Sequence, residues 1–145
     1  VLRLGRSTGS DDADRQNAPL MLWEVVAGLV EPEDEGEDGV MQRAVHEVWE
    51  ESGYRVTAEQ IEGLGAPFFA SPGSLCQRVY AATVEISRDA EQHPLPGDGS
   101  PMEDGATTRW VPIDDAIEEC VAGRIQDLKT EVLLRRLRER LASER

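Results

Sequence analysis

The chain is poor in cysteine, lysine and aromatic residues. Two cysteines in 145 residues, Cys76 and Cys120, cannot build the disulfide framework of a small secreted domain, and they carry no metal-site spacing. Both are expected to be reduced thiols. Lys129 is the only lysine among 15 Lys+Arg, and against 29 Asp+Glu the formal net charge is −14. A surface of that sign lacks the basic patch that neutralises nucleic-acid phosphates, and it is not drawn to anionic lipid. Neither nucleic acid nor a membrane is therefore expected as a partner. No stretch reaches the roughly 18 apolar residues of a membrane-spanning helix, and no signal-peptide pattern opens the chain. The expected location is the cytoplasm. The length suits a single domain over residues 1–145, able to bury about 70% of its unfolded surface without a staple. The chain starts at Val1 inside an apparent strand, Val1–Leu4, so a further N-terminal segment is expected ahead of it.

Hydrophobic periodicity and turn residues divide the rest. Residues 7–18 read as a polar loop. Leu20–Ala27 is an apolar strand interrupted by Glu24 and ended by Gly28. Glu31–Asp38 is almost wholly acidic and cannot be buried. Asp38 can cap a helix over Gly39–Ser52, with Gly53 at its C′ position. Leu64–Ala70 and Cys76–Glu85 read as strands flanking a Ser71-Pro72-Gly73-Ser74 turn, and residues 87–105 as a long loop. Thr107–Val111 is a short strand, Asp114 or Asp115 opens a helix to Val121, and Gln126–Leu141 is amphipathic. Its expected apolar side is Leu128, Val132, Leu133, Leu137 and Leu141. Strands and helices interleave without repeats, in the α/β or α+β class.

The helix over 39–52 holds an anomaly. Glu47, Glu50 and Glu51 stand at i, i+3 and i+4 near its C-terminal end. Like charges at that spacing destabilise a helix by a few tenths of a kcal/mol per pair, and the dipole disfavours anions there. Clustered carboxylates are, however, what hard divalent cations take as ligands. A merely solvated acidic face is the alternative reading of the charges alone.

The surrounding pattern favours the first. Gly28, then Glu37 or Asp38, then His46-Glu47-Val48-Trp49-Glu50-Glu51-Ser52-Gly53-Tyr54 resembles the Nudix box, Gly-x5-Glu-x7-Arg-Glu-U-x-Glu-Glu-x-Gly-U, where U is aliphatic. Glu47 to Gly53 matches at each fixed position. Eight residues rather than five separate Gly28 from Glu37, Asp38 alone keeps the seven-residue spacing to position 46, and His46 replaces the arginine. Further pieces resemble the ADP-ribose and nucleotide-sugar pyrophosphatase branch. They are Trp23-Glu24-Val25-Val26-Ala27-Gly28, Ala66–Gly73 with its Ser-Pro-Gly turn, Trp110–Ala116, and Gly123-Arg124-Ile125-Gln126-Asp127-Leu128-Lys129-Thr130. Gln77 stands where a glutamate commonly follows the turn.

The resemblance implies an α/β fold, a sandwich of the α/β/α kind around a mixed β-sheet, and a hydrolase that splits the pyrophosphate bond of a nucleoside diphosphate sugar. ADP-ribose is the first expectation and a UDP-sugar the second, giving a nucleoside monophosphate and a sugar phosphate. It implies Mg²⁺, with Mn²⁺ as a substitute, on Glu47, Glu50, Glu51 and the Ala27 carbonyl. Glu103, ahead of its neighbour Asp104, is the expected base. Glu24, Ser71, Pro72 and Gly73 are expected at the substrate cleft, and the protein is expected to be a homodimer. A nucleotide-sugar-binding domain without turnover, and a plain acidic structural domain, are the competing readings.

Overall fold

The computed structural model describes residues 2–7, 20–34, 36–96 and 106–144. Seven strands and three α-helices follow one another along the described chain: β1 Leu2–Ser7, β2 Leu20–Glu24, α1 Gly36–Ser52, β3 Ile61–Gly63, β4 Phe68–Ser71, β5 Leu75–Val79, β6 Ala82–Val84, β7 Thr107–Arg109, α2 Ile113–Val121 and α3 Leu128–Ser143. The class is mixed α/β, as expected. All the strand pairings among the described residues are antiparallel: β1 lies between β2 and β7, β3 pairs with β6, and β4 with β5.

One apolar cluster sits where α2 and the turn after it meet the first sheet, and Tyr54, Ile61, Leu64 and Ala81 are buried elsewhere. Leu2, Ala116, Cys120 and Ile125 form the cluster at α2, with Trp23, Val25, Val111 and Leu134 packed around them. Helix α2 rests on α3, whereas α1 lies against β3 and β7. Cys120 belongs to this core and its thiol is pushed up by burial, while Cys76 is exposed. Helix α3 docks in a different phase from the expected one. Leu134 faces the core, and Leu128 and Leu141 are 54% and 39% exposed.

Several element boundaries differ from expectation for identifiable reasons. Helix α1 begins at Gly36, so Asp38 lies within its first turn rather than capping it. Acids in a first turn face the positive end of the helix dipole. The strand expected to reach Ala27 stops at Glu24, because the next backbone donors are taken elsewhere. Val25 N–H donates to the Thr130 hydroxyl at 2.9 Å and Ala27 N–H to the Glu51 carboxylate at 3.0 Å. The single strand expected over 76–85 is two, with β5 completing a hairpin and β6 pairing with β3. The 64–70 strand is shortened to Phe68 at its start because Arg136 takes the Leu64 and Ala66 carbonyls, at 3.1 and 2.8 Å, and Pro67 offers no N–H.

Candidate active site

One face of α1 is built to lie against backbone. Gly39, Arg43, Glu47 and Glu51 recur at i+4, which stacks them along one side of the helix. The segment 27–34 runs past that side in the opposite direction. A Cβ on Gly39 would stand 2.4 Å from the Asp34 carbonyl carbon, and a Cβ on Gly28 only 1.8 Å from Glu47 Oε1. Both glycines therefore mark close approaches. Arg43 Nε donates to Asp34 Oδ2 at 2.9 Å, and the same oxygen accepts from Glu31 N–H at 2.8 Å. Glu51, only 6% exposed, accepts from Ala27 N–H.

The helix end that carries these carboxylates is anchored. Gly53 adopts φ +72° and returns its N–H to the Trp49 carbonyl at 3.0 Å, the left-handed exit that glycine permits. Its own carbonyl accepts from His93 N–H at 2.9 Å. Gln92 Nε2 donates to the Ser52 carbonyl and to Thr108 Oγ1, each at 2.9 Å, tying α1 to β7. Trp49 is held between the Arg55 guanidinium, 3.9 Å from its ring centre, and the His93 ring. Glu47 and Glu51 thus project from a turn fixed at its far end.

Glu24 and Lys129 form an ion pair at 2.7 Å, and Lys129 also reaches Asp127 at 3.0 Å. Burial works hardest on the Lys129 ammonium and disfavours its charge, but Glu24 and then Asp127 outweigh it and hold the group above its ordinary value. A lone acid in an apolar strand calls for a partner, and the chain's single lysine supplies one. Asp127 in turn caps α3, accepting from Thr130 N–H at 2.9 Å.

The other expected site residues fall as follows. Glu50 is half-buried on α1. Ser71, Pro72 and Gly73 form the exposed tip of the β4–β5 hairpin, closed by Ser74 N–H donating to the Ser71 carbonyl at 3.0 Å, and Gln77 is exposed in β5. Glu103 and Asp104 lie outside the described residues, as do most of the polar loop expected over 7–18 and the side chain of Glu37. His46, in place of the box arginine, is exposed. The guanidinium that reaches the acidic segment is that of Arg43, one turn earlier. Its partner Asp34 is held below the usual carboxylate range first by the Glu31 N–H and then by Arg43. The pair Asp34–Arg43 escaped sequence reading, although a signal existed: Asp34 follows Gly28 at the five-residue interval that the box prescribes for its first acid.

Among the described residues no group of three or more His, Cys, Asp or Glu side chains is gathered tightly enough to cage a metal ion. Two carboxylates, Glu47 and Glu51, do converge on the 27–28 backbone. That donor set fits Mg²⁺ better than it fits Ca²⁺ or a closed zinc centre. Mg²⁺ commonly keeps several waters and takes one or two protein carboxylates, with substrate phosphates completing its shell.

The NUDIX domain profile matches residues 4–133 of the 145. The chain belongs to the Nudix family of hydrolases, whose members generally use divalent metal ions. No curated protein matches it. Among the described residues no helix is long and apolar enough to cross a membrane.

Proposed function

We propose that this Nudix protein hydrolyses the pyrophosphate bond of a nucleoside diphosphate sugar, ADP-ribose first and a UDP-sugar second, with Mg²⁺ or Mn²⁺ as cofactor. The observation that carries the reading is the convergence of Glu47 and Glu51 on the Ala27–Gly28 backbone. Such a substrate brings two negative charges to a protein of net charge −14, so the site needs cations before it can accept phosphate. Glu47 and Glu51 would hold the ion, with Glu50 and the Ala27 carbonyl as further donors. Bound there, the metal would polarise phosphoryl oxygens and lower the pKa of an attacking water.

This chain's own residues supply the rest. The anchored end of α1 keeps the carboxylates from spreading under their mutual repulsion. Glu103 is proposed to take the proton of the attacking water, on the strength of the branch resemblance. Ser71, Pro72 and Gly73 offer a tight turn to the substrate. Glu24, locked to Lys129, serves the cleft as a fixed wall, since its carboxylate is already engaged. A homodimer is proposed on the same resemblance, and the cytoplasm is proposed as its location.

The test is a phosphatase-coupled phosphate-release screen with Mg²⁺ over ADP-ribose, UDP-glucose, GDP-mannose, diadenosine polyphosphates and 8-oxo-dGTP. Turnover of ADP-ribose or UDP-glucose above the others supports the proposal. Preference for 8-oxo-dGTP or a dinucleotide overturns the substrate class. Tight binding of a nucleotide sugar without product replaces hydrolysis by sensing.

A further inference from the structure

Three residues at the exit of β2, Glu24, Val25 and Ala27, are held by side chains from elsewhere in the fold. The Glu24 side chain is held by Lys129, Val25 N–H by the Thr130 hydroxyl at 2.9 Å, and Ala27 N–H by Glu51 at 3.0 Å. The first two partners are neighbours in the first turn of α3, and both are bound to Asp127. Thr130 Oγ1 donates to Asp127 Oδ2 at 2.6 Å, and Lys129 Nζ lies 3.0 Å from the same oxygen. Thr130 is fully buried, at 0% exposure. Its hydroxyl therefore both accepts and donates, which fixes its rotamer as well as its position. Helix capping alone would be satisfied by Asp127 and the Thr130 amide, and requires neither the hydroxyl bond to Val25 nor the lysine.

We propose that Thr130, Lys129 and Asp127 are positioning residues that set where the Ala27 backbone stands against Glu51. The proposal rests on the hydrolase reading for its catalytic consequence, because it assigns the Asp-x-Lys-Thr segment to the metal-bearing end of α1 rather than to substrate. A β2 exit free to shift by a fraction of an ångström would carry Ala27 and Gly28 with it. Glu51 and Glu47 abut those two residues, so both carboxylates would lose their seat. Partners that orient ligands in this indirect way commonly matter about 10- to 100-fold in metal affinity or activity.

Amide hydrogen exchange at Val25 and Ala27, measured on the full chain, tests the placement independently of catalysis. Thr130→Val keeps the shape of the side chain and removes the hydroxyl, whereas Thr130→Ser keeps the hydroxyl. The expected result is faster exchange at both amides in Thr130→Val, by about tenfold or more at Ala27, and near wild-type rates in Thr130→Ser. Mn²⁺ affinity followed by electron paramagnetic resonance should fall about tenfold in the valine variant and recover in the serine variant. Lys129→Gln, at a half-buried position, gives the same readout should Thr130→Val fail to fold. Faster exchange at Val25 alone, with Ala27 unchanged, overturns the proposal, since the hydroxyl then only satisfies a local N–H. A wild-type protein that neither binds Mn²⁺ nor hydrolyses any substrate overturns the hydrolase reading instead, and the Ala27 exchange rate still decides the placement.

Discussion

The Ala27 amide donates to the carboxylate of Glu51 across 3.0 Å, and Glu51 is 6% exposed. A buried carboxylate is costly to keep charged unless its oxygens are engaged. Here one oxygen steadies the end of β2. Glu51→Gln keeps an acceptor for that N–H and removes the charge. It should therefore leave a cooperatively folded chain, while hydrolysis falls by at least about a hundredfold, beyond the typical loss for an indirect partner. Kinetics beside a thermal melt check this, and wild-type turnover in the variant would remove Glu51 from the site.

Two glycines on the same contact line should respond oppositely to alanine. At Gly28 the new methyl meets the tip of a flexible side chain, 1.8 Å from Glu47 Oε1, so the carboxylate moves and the backbone stays. Gly28→Ala should melt within a few degrees of wild type and lose about a hundredfold in kcat/KM, the scale of an ångström-sized misplacement. At Gly39 the methyl meets the Asp34 backbone at 2.4 Å, which cannot swing aside. Gly39→Ala should destabilise by about 1–3 kcal/mol as an overpacked contact, reversing the gain of about 1 kcal/mol that alanine brings to a helix interior.

What could be read in the sequence followed from local spacing. Glu47 and Glu51 at i+4, Gly28 before them and Gly53 behind them needed only helix geometry and a fixed-interval motif. Glu24 could be flagged as an acid wanting a partner, but Lys129 lies 105 positions away, and no periodicity joins them. Asp34 does not stand out in the sequence, because the box writes glutamate there and the acidic run offers several candidates. The division of 76–85 into β5 and β6 depends on which strand each half meets. Similarly, Leu134 rather than Leu128 faces the core because of how α3 docks, which its own sequence leaves open across a broad apolar face.

The ion pair of Asp34 with Arg43 should show itself in acid. Glu31 N–H and, second, Arg43 hold the Asp34 carboxyl below its ordinary 3.8 in the folded chain. A carboxyl depressed on folding stabilises the fold above its unfolded value and loses that contribution as pH falls through the folded one. Urea unfolding of wild type and Asp34→Asn between pH 6 and 3 should therefore differ at pH 6 and converge in acid. Arg43→Ala should keep most of the acid dependence, since the backbone N–H is the larger influence. Activity in Arg43→Ala should fall about tenfold, with a higher Mg²⁺ requirement, because Arg43 ties the 31–34 segment to the face of α1 that carries Glu47. A pH-independent difference between wild type and Asp34→Asn would contradict the ion pair.

Metal should stabilise the folded chain through the same carboxylates. An ion that binds only the folded state adds RT ln(1 + [M]/Kd), about 1.4 kcal/mol at a concentration tenfold above Kd. For a chain of this size that corresponds to a rise of about 3–5 °C in melting temperature. Wild type should show such a shift with millimolar Mg²⁺ and lose it in EDTA. Ca²⁺ should give a smaller one, because two carboxylates leave much of its larger shell unfilled. The shift should vanish in the double variant Glu47→Gln/Glu51→Gln. A shift that persists in the double variant would place the metal elsewhere on the acidic surface.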